Sequence, residues 1–234
     1  MDFLTANIIQ QNLETTAHEM GVTMGRVARS PIFNEAHDLA VGIFEFDRHA
    51  EEARLVAAAN GQTILMAAIV SSVQEAVKYF RHDLHEGDVI VINDSFYGGA
   101  HLSDWTVLIP VFRGNVPVAI PAVRAHMGDT GAPAPGGYNI ESEEIWQDGV
   151  RIPPLKIYAD GKKKRDVFQW LLTNNRLTHW LEGDLGGMIA ACRIADRRIH
   201  SLIDQYGLEV FQEAVAWNIG HTEKCLRDMF SAWP

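Results

Sequence analysis

The chain has 234 residues, of which 47% are hydrophobic and 21% charged, and it carries a formal net charge of −10. This composition predicts one sizeable core, or one large and one small domain, and excludes a largely disordered protein. The acidic balance argues against a nucleic-acid partner, because neutralising phosphate groups requires a basic surface.

The N-terminal part of the chain alternates helix and strand patterns. Apolar residues at steps of three and four over residues 9–27 predict a helix, which Ser30-Pro31 should end. Residues 39–46, LAVGIFEF, predict a buried strand, and the apolar face of residues 64–80 predicts a second helix. The apolar run at residues 89–92 predicts another buried strand.

A β-hairpin is predicted next. Two β-rich runs, residues 105–112 and 116–123, flank the short turn Arg113-Gly114-Asn115. Three prolines predict edge or irregular strands, because proline lacks the N–H that a central ladder uses: Pro110, Pro117 and Pro121. The Gly/Pro-rich residues 127–140 form a long loop of the kind that often carries function.

The last part of the chain has little β signal. Residues 166–175, 184–207 and 208–230 predict three helices, with a break at Gly207. The predicted fold class is α+β, with a mixed or antiparallel sheet around the hairpin, flanking helices and a C-terminal helical segment. We expect an α+β metal-site region over residues 1–160 and a helical tail over 161–234, packed on that region or on a partner subunit.

The cysteines and the hydropathy of the chain give an expectation for its cellular compartment. Cys192 and Cys225 lie far apart and outside any CxxC pair, which suits a reducing environment. Neither a secretory signal nor an apolar run long enough to span a bilayer is evident. We therefore expect a cytoplasmic protein with no membrane partner.

Two clusters pair a histidine with an aspartate three residues later. GGAHLSD contains His101 and Asp104, and RAHMGD contains His126 and Asp129. The outer ends of the predicted hairpin would bring these clusters together. Two imidazoles with one or two carboxylates suit Zn²⁺, Mn²⁺ or Fe²⁺ with open positions, and the lack of nearby cysteines disfavours a closed structural zinc site. The alternative is that the aspartates, including Asp94 at the end of a strand, cap turns.

Two further observations limit the chemistry. Arg26 and Arg29 could bind a phosphate or a carboxylate, although a helix C-terminus also favours cations electrostatically. The sequence contains no GxxxxGK[ST], GxGxxG or GxSxG motif. It therefore predicts neither a nucleotide site of its own nor a serine-hydrolase nucleophile.

Taken in order, several motifs resemble the hydantoinase B family: NDSFYGGAHLSDWTVLIPVF, RAHMGDTG, PGGYNI, IPPLKIY, NNR and GDLGGMIAACRIADRR. That family groups N-methylhydantoinase B subunits, the matching half of 5-oxoprolinases, and subunits of acetone and acetophenone carboxylases. The opening NLETTAHEMGVTMGRVARSP also resembles the family's first helix, so the resemblance covers nearly the whole chain.

The resemblance implies a subunit of an ATP-dependent hetero-oligomer. A hydantoinase A-type partner would bind ATP with Mg²⁺ and phosphorylate a small-molecule substrate. This chain would carry a divalent metal, zinc, manganese or iron, at which the activated species is hydrolysed or carboxylated. The motif match implies four metal ligands: Asp38, His101, Asp104 and His126. It leaves Asp129 to orient a histidine or to serve as an alternate ligand. The predicted catalytic residues are His126, Asp129 and Asp94.

Departures from the family pattern bear on the reaction. The main ones are Met127 in place of a second His, Ser95 in place of a Pro, NGQTIL at residues 60–65 in place of a His-rich segment, and DLGGM without its usual Gln. These losses favour a ketone carboxylase-like reaction over cyclic-amide hydrolysis of the oxoprolinase or hydantoinase kind. The alternative from a different class is a non-catalytic assembly subunit whose site has decayed.

The B-type subunits of this family are also considerably longer than this chain. We therefore expect a fragment, or a split subunit that another chain completes. Four aromatic residues of the tail could form the face for that chain or pack into the core: Phe211, Trp217, Phe230 and Trp233.

Overall fold

The structure, a computed structural model, describes residues 2–47, 52–59, 61–137 and 139–233. Its helices are α1 (Phe3–Val27), α2 (Pro31–Asn34), α3 (Thr63–Tyr79), α4 (Arg165–Thr173), α5 (Thr178–Tyr206) and α6 (Leu208–Ser231). Its strands are β1 (Leu39–Asp47), β2 (Glu52–Ala58), β3 (Val89–Ile92), β4 (Asp104–Leu108), β5 (Val111–Arg113), β6 (Val116–His126), β7 (Leu155–Ala159) and β8 (Lys162–Lys163). Asn60 of the NGQTIL segment and Tyr138 of the long loop lie outside the described residues.

The strands form one antiparallel sheet in the order β2-β1-β6-β4-β3-β7-β8, and β5 also pairs with β6. The predicted α+β class, with flanking helices and a C-terminal helical segment, is confirmed. The hairpin is also confirmed, although its first arm is split into β4 and β5. The sequence patterns did not predict β2, which pairs with β1 from Gly42↔Ala58 to Asp47↔Glu52.

Each face of the sheet buries a separate apolar cluster, because successive side chains of a strand point to opposite faces. Val41 and Val123 belong to the larger cluster, which α1 and α5 cover. Phe44 and Ile120 belong to the smaller cluster, which α3 covers. Burying one such side chain fully contributes about 1.5–3 kcal/mol, so the two clusters fix which face each strand residue occupies.

Pro121 lies in the middle of the sheet, which corrects the expectation of an edge strand. Its strand, β6, has β1 on one side and β4 and β5 on the other. The carbonyl oxygen of Pro121 accepts the N–H of Ile109, so the nitrogen of Pro121 faces the same side. Ile109 and Pro110 form the break between β4 and β5. Pro121 therefore lacks its N–H at the place where the partner strand is interrupted. The irregular strand that the prolines predicted is this break between β4 and β5.

The last two helices meet at Gly207, whose φ of 86° explains the predicted break. The first half of α6 packs on the core through Phe211 and Val215, and Trp217 is partly buried against it. Further along, four apolar side chains are largely exposed: Leu226, Met229, Phe230 and Trp233. No helix in the described ranges combines the length and hydropathy needed to cross a bilayer.

Candidate metal centre

The hairpin brings the two His/Asp clusters together through its strand register. Asp104, the first residue of β4, is the direct partner of His126, the last residue of β6. Directly opposed residues of an antiparallel pair hold their side chains on the same face, so both point towards the α3 side. His101 lies in the turn before β4, and the N–H of His126 donates to the carbonyl oxygen of Asp38 at 3.1 Å.

Three of the four predicted ligands converge on one point. Oδ1 of Asp104 lies 3.3 Å from Nδ1 of His126 and 3.5 Å from Nε2 of His101. The ligand atoms of these three residues all lie within 4.8 Å of one another. Asp38 is not part of this group, but its charge acts on both imidazoles. The structure thus places Asp38 beside the cluster rather than within it.

Oδ1 of Asp104 is the atom that tests whether a cation fits. It is fully buried, and no donor among the described residues reaches it with hydrogen-bond geometry. A buried carboxylate oxygen that accepts no well-aligned hydrogen bond is costly, whereas a divalent cation between it and the two imidazole nitrogens would satisfy all three. The donor set of two nitrogens and a carboxylate oxygen fits Zn²⁺, Mn²⁺ or Fe²⁺.

A backbone carbonyl group fixes the orientation of the His126 ring on the side away from Asp104. Its Nε2 lies 3.2 Å from the carbonyl oxygen of Gly136, and because a carbonyl only accepts, Nε2 must donate. In the neutral ring the lone pair then sits on Nδ1, the nitrogen that faces Asp104. A carbonyl that holds the far nitrogen of a histidine is the usual support for a metal-ligating imidazole.

The two imidazoles differ in electrostatics. Burial lowers the pKa of His101, and the charge of Asp104 offsets this only in part. Burial also opposes the charged form of His126, but its contacts with Asp104 and Gly136 outweigh this and raise its pKa. The side chain of His101 is 43% exposed and that of His126 is 5% exposed. His101 therefore marks the solvent-accessible side of the cluster.

Arg124 is a site residue that the sequence patterns did not identify. It is fully buried on β6, and its guanidinium lies 3.4 Å from Oδ2 of Asp104. The same guanidinium donates to the hydroxyls of Ser72 on α3 and Thr106 on β4, each at 3.0 Å. Burial lowers the pKa of Arg124, and Asp104 opposes that shift. The signal available in the sequence was the RAH motif at the end of a strand, because residues two apart on a strand share a face and Arg124 therefore lies on the face of His126.

The structure separates Asp129 from the metal cluster. Its carboxylate accepts the backbone N–H of Arg176 at 2.6 Å, two guanidinium bonds of the same residue at 2.5 and 3.1 Å, and the N–H of Gly131 at 3.1 Å. Burial opposes ionisation, but the hydrogen bonds and charge of Arg176 prevail and lower the pKa of Asp129. This arrangement ties the loop after β6 to the α4–α5 junction, and a catalytic role for Asp129 stays a prediction.

We expect Asp129→Asn to lower the free energy of unfolding by about 2 kcal/mol, because hydrogen bonds to charged groups contribute about 1.5–3 kcal/mol. A depressed carboxyl pKa stabilises the fold above the unfolded value of about 3.9, and that stabilisation is lost as pH falls through the folded pKa. Denaturant unfolding at pH 7 and at pH 3 should show the difference from wild type shrinking in acid. Loss of bound metal at unchanged stability would show instead that Asp129 is a ligand.

Asp94 and Met127 also lie outside the group of three converging residues. The carboxylate of Asp94 caps the short helix that starts at Ser95 and accepts two bonds from Arg151 at 2.9 and 3.2 Å. A catalytic role for Asp94 therefore stays a prediction. Met127 is 1% exposed and belongs to the apolar cluster under α1 and α5. The position where the family has a second His is thus a core position here.

A second acidic group, His85, Asp88 and Asp160, also has suitable spacing for a cation. Asp88 is already neutralised, because the ammonium of Lys156 lies 2.9 Å from its Oδ2. Its other oxygen accepts the N–H of Asp160 at 3.0 Å. This group ties the turn before β3 to the turn after β7, and it offers no buried oxygen without a partner among the described residues.

The sheet, the helices and the His/Asp cluster define an α+β fold whose described residues contain a candidate metal centre at the end of the hairpin. The chain belongs to the hydantoinase B/oxoprolinase family, whose model matches residues 2–234. It is 34% identical over 209 residues to the beta subunit of the caprolactamase of Pseudomonas jessenii, covering 89% of this chain and 35% of that protein. It is 27% identical over 237 residues to a putative D-/L-hydantoinase B subunit of Pseudomonas sp. strain NS671, covering 100% of this chain and 40% of that one.

Two solved structures share the fold. The ATP-dependent caprolactamase of Pseudomonas jessenii superposes with a TM-score of 0.91 at 31% identity, over 100% of this chain and 40% of that chain. Nucleotide-free acetone carboxylase superposes with a TM-score of 0.82 at 20% identity, over 92% of this chain and 28% of that chain, and this likeness concerns the fold alone. The chain therefore spans well under half the length of these relatives.

Proposed function

We propose that this chain is the metal-bearing part of a B-type subunit in an ATP-dependent enzyme that hydrolyses a cyclic amide. The observation that carries the proposal is the convergence of two imidazole nitrogens, at 3.3 and 3.5 Å, on the buried Oδ1 of Asp104, which accepts no hydrogen bond of good geometry from the described residues. His101, Asp104 and His126 would hold the cation, and Asp38 lies near enough to act electrostatically on both rings. Asp38 would complete the ligand set by a movement of its side chain.

The chemistry divides between the cation and this chain's residues. When bound, a divalent cation would polarise a carbonyl group or make a bound water more acidic. Gly136 holds His126 with Nδ1 facing inwards, and Arg124 orients Asp104 from the buried side. The exposed edge of His101 leaves the open side for a substrate. Asp94 and Asp129 remain hypotheses as catalytic residues.

ATP would be used on a partner subunit. The sequence has no phosphate-binding loop motif, and the candidate site offers carboxylate and imidazole ligands rather than a row of backbone N–H donors. The names of two relatives describe subunits, and one solved relative is described as ATP-dependent. We therefore propose a hetero-oligomer with a hydantoinase A-type ATPase that holds ATP and Mg²⁺.

Hydrolysis is now favoured over carboxylation for this chain. The expectation of a carboxylase-like reaction depended on several departures from the family pattern, and one of them, Met127, is buried in the core and does not belong to the cluster. The relatives above 25% identity include a caprolactamase and a putative hydantoinase, whose names describe action on cyclic amides. Similarity to acetone carboxylase at 20% identity supports the fold only.

The test is turnover by the reconstituted complex. We expect ATP hydrolysis that is stimulated by a lactam or a hydantoin, does not need bicarbonate and stops in a His101→Ala, His126→Ala variant. ATP hydrolysis that requires both a ketone and bicarbonate would replace this proposal with carboxylation. Unchanged turnover in the double variant would instead support the non-catalytic assembly subunit.

The exposed side of α6 is the proposed docking face for the rest of the B-type subunit. Val215, Ile219, Leu226, Met229 and Trp233 follow the alternating three- and four-residue spacing of a helix–helix seam, with Thr222 between. The first two pack against the core, whereas the last three and Phe230 are largely exposed. The apolar seam of α6 thus continues past the segment that packs against the core of this chain.

We expect Leu226→Glu together with Phe230→Glu to weaken association with the completing polypeptide by at least about tenfold, because two buried charges oppose an apolar contact. The melting temperature of the chain alone should not change, since both positions are exposed. A matched control is Lys224→Glu together with Ser231→Glu, at two exposed positions on the opposite side of α6. Equal co-purification of all variants would contradict this interface.

A further inference from the structure

A cavity of about 530 Å³ lies between the second half of α1, the segment of residues 36–39, and the residues Ala59, Gly61 and Gln62. Its volume is within the usual range for small-molecule sites, about 300–1,000 Å³. Its apolar or small lining residues are Gly21, Val22, Gly25, Ala36, Leu39, Ala59 and Gly61, and its polar lining residues are His18, Arg26, His37 and Gln62.

The charge of this lining is opposite to that of the protein. The chain has 30 acidic and 20 basic residues, yet the lining contains one arginine, two histidines and no carboxylate. Within the described part of the chain, the side chains of Arg26, His18 and His37 make no ion pair or hydrogen bond with another residue. Three nitrogen-bearing side chains that are exposed to solvent therefore line a cavity whose lining holds no carboxylate.

The backbone is shaped to keep the cavity open. Gly25 presents only helix backbone to the cavity, and a Cβ there would lie 3.5 Å from the imidazole of His37. His37 adopts a φ of 51°, a left-handed conformation that non-glycine residues rarely occupy and that is found preferentially at functional positions. The next residue, Asp38, lies beside the metal cluster, and Leu39 lines the cavity. Consecutive residues of this segment thus lie at the cavity and beside the metal cluster.

We propose that this cavity binds a short-chain aliphatic carboxylate. Arg26 supplies the charge and the paired N–H donors that match a carboxylate, and His18 and His37 add donors beside it. Val22 and Leu39 offer apolar contact for an aliphatic body, which inorganic phosphate lacks. The cavity is distinct from the metal centre, because none of its lining residues is one of the proposed metal ligands, although Asp38 lies between the lining residues His37 and Leu39.

The test is a titration of the intact chain with glutarate and, separately, with inorganic phosphate. Binding is measured by calorimetry and by the shifts of the imidazole NMR resonances. We expect saturable glutarate binding that moves the His18 and His37 resonances and weakens at least tenfold in Arg26→Gln. Arg165→Gln, at an exposed position on α4, is the matched control and should bind as wild type. No saturation at millimolar glutarate, tighter binding of phosphate than of glutarate, or equal binding by both variants would overturn the proposal.

A cavity-filling variant provides a second test that does not remove charge. Gly25→Leu should abolish glutarate binding while the melting temperature stays the same or rises, because leucine favours a helix more than glycine does. Gly220→Leu is the matched control, since Gly220 is also helical and a Cβ there would meet nothing within 4 Å. Glutarate binding by Gly25→Leu at wild-type strength would place the ligand elsewhere.

Discussion

Asp104→Asn is expected to abolish metal binding at the proposed centre and to lower turnover of the proposed complex by about 100-fold or more. Asp104 is the residue on which both imidazoles converge, and loss of even a supporting group typically costs 10–100-fold in metal affinity or activity. Asparagine keeps the shape and can still accept from Arg124, but it removes the negative charge that a divalent cation requires. Metal analysis of the purified chain and ATP-coupled turnover measure the two effects.

The matched control for Asp104→Asn is Asp88→Asn. Asp88 is also a fully buried carboxylate within a His/Asp group, but Lys156 already neutralises it. We expect Asp88→Asn to lower stability and to leave the metal content unchanged. If Asp104→Asn kept a full equivalent of metal, the cluster at the end of the hairpin would not be the metal centre.

Arg124→Met is expected to lower the free energy of unfolding by about 3–5 kcal/mol in the metal-free protein, because breaking a buried ion pair leaves an uncompensated charge. Arg124 and Asp104 are 0% and 1% exposed, so solvent cannot replace the lost partner. Bound metal would supply positive charge to Asp104, so the loss should be smaller in the metal-loaded protein. Denaturant unfolding with and without a chelator measures both values.

A double-mutant cycle and a surface control separate this effect from loss of packing. In the Asp104→Asn background, Arg124→Met should cost less, because no buried carboxylate remains unpaired. Arg113→Met removes an exposed arginine that pairs with Asp204, and it should cost less than about 1 kcal/mol. An equal cost of Arg124→Met with and without the Asp104 charge would show that Arg124 only fills space.

Much of the site was predictable because the hairpin itself was evident in the sequence. The turn at residues 113–115 places the outer ends of the two arms side by side, so Asp104 and His126 could be expected to lie close together. Their direct opposition also depends on a register shift between Val111 and Phe112, which the turn does not specify. His101 then follows from its place in the preceding turn. Asp38 was implied only by family resemblance, since nothing in local spacing relates it to His126, whose N–H it accepts.

Other features depended on tertiary contacts that local patterns do not contain. The seven residues of β2, EARLVAA, are rich in helix-favouring types, and only pairing with β1 makes them a strand. Arg124 was overlooked because arginine is rarely buried, and its role depends on Ser72 of a distant helix. Likewise, the partner of Asp129 is Arg176, 47 residues away, which no local rule links to it.

The most direct test of the metal centre is an anomalous difference map from crystals of the purified complex, collected at the absorption edge of the metal that elemental analysis finds. We predict one strong peak bonded to Nε2 of His101, Oδ1 of Asp104 and Nδ1 of His126, at about 2.0–2.2 Å from each atom. A peak at the group of His85, Asp88 and Asp160, or no peak in a complex that turns over substrate, would contradict this metal centre.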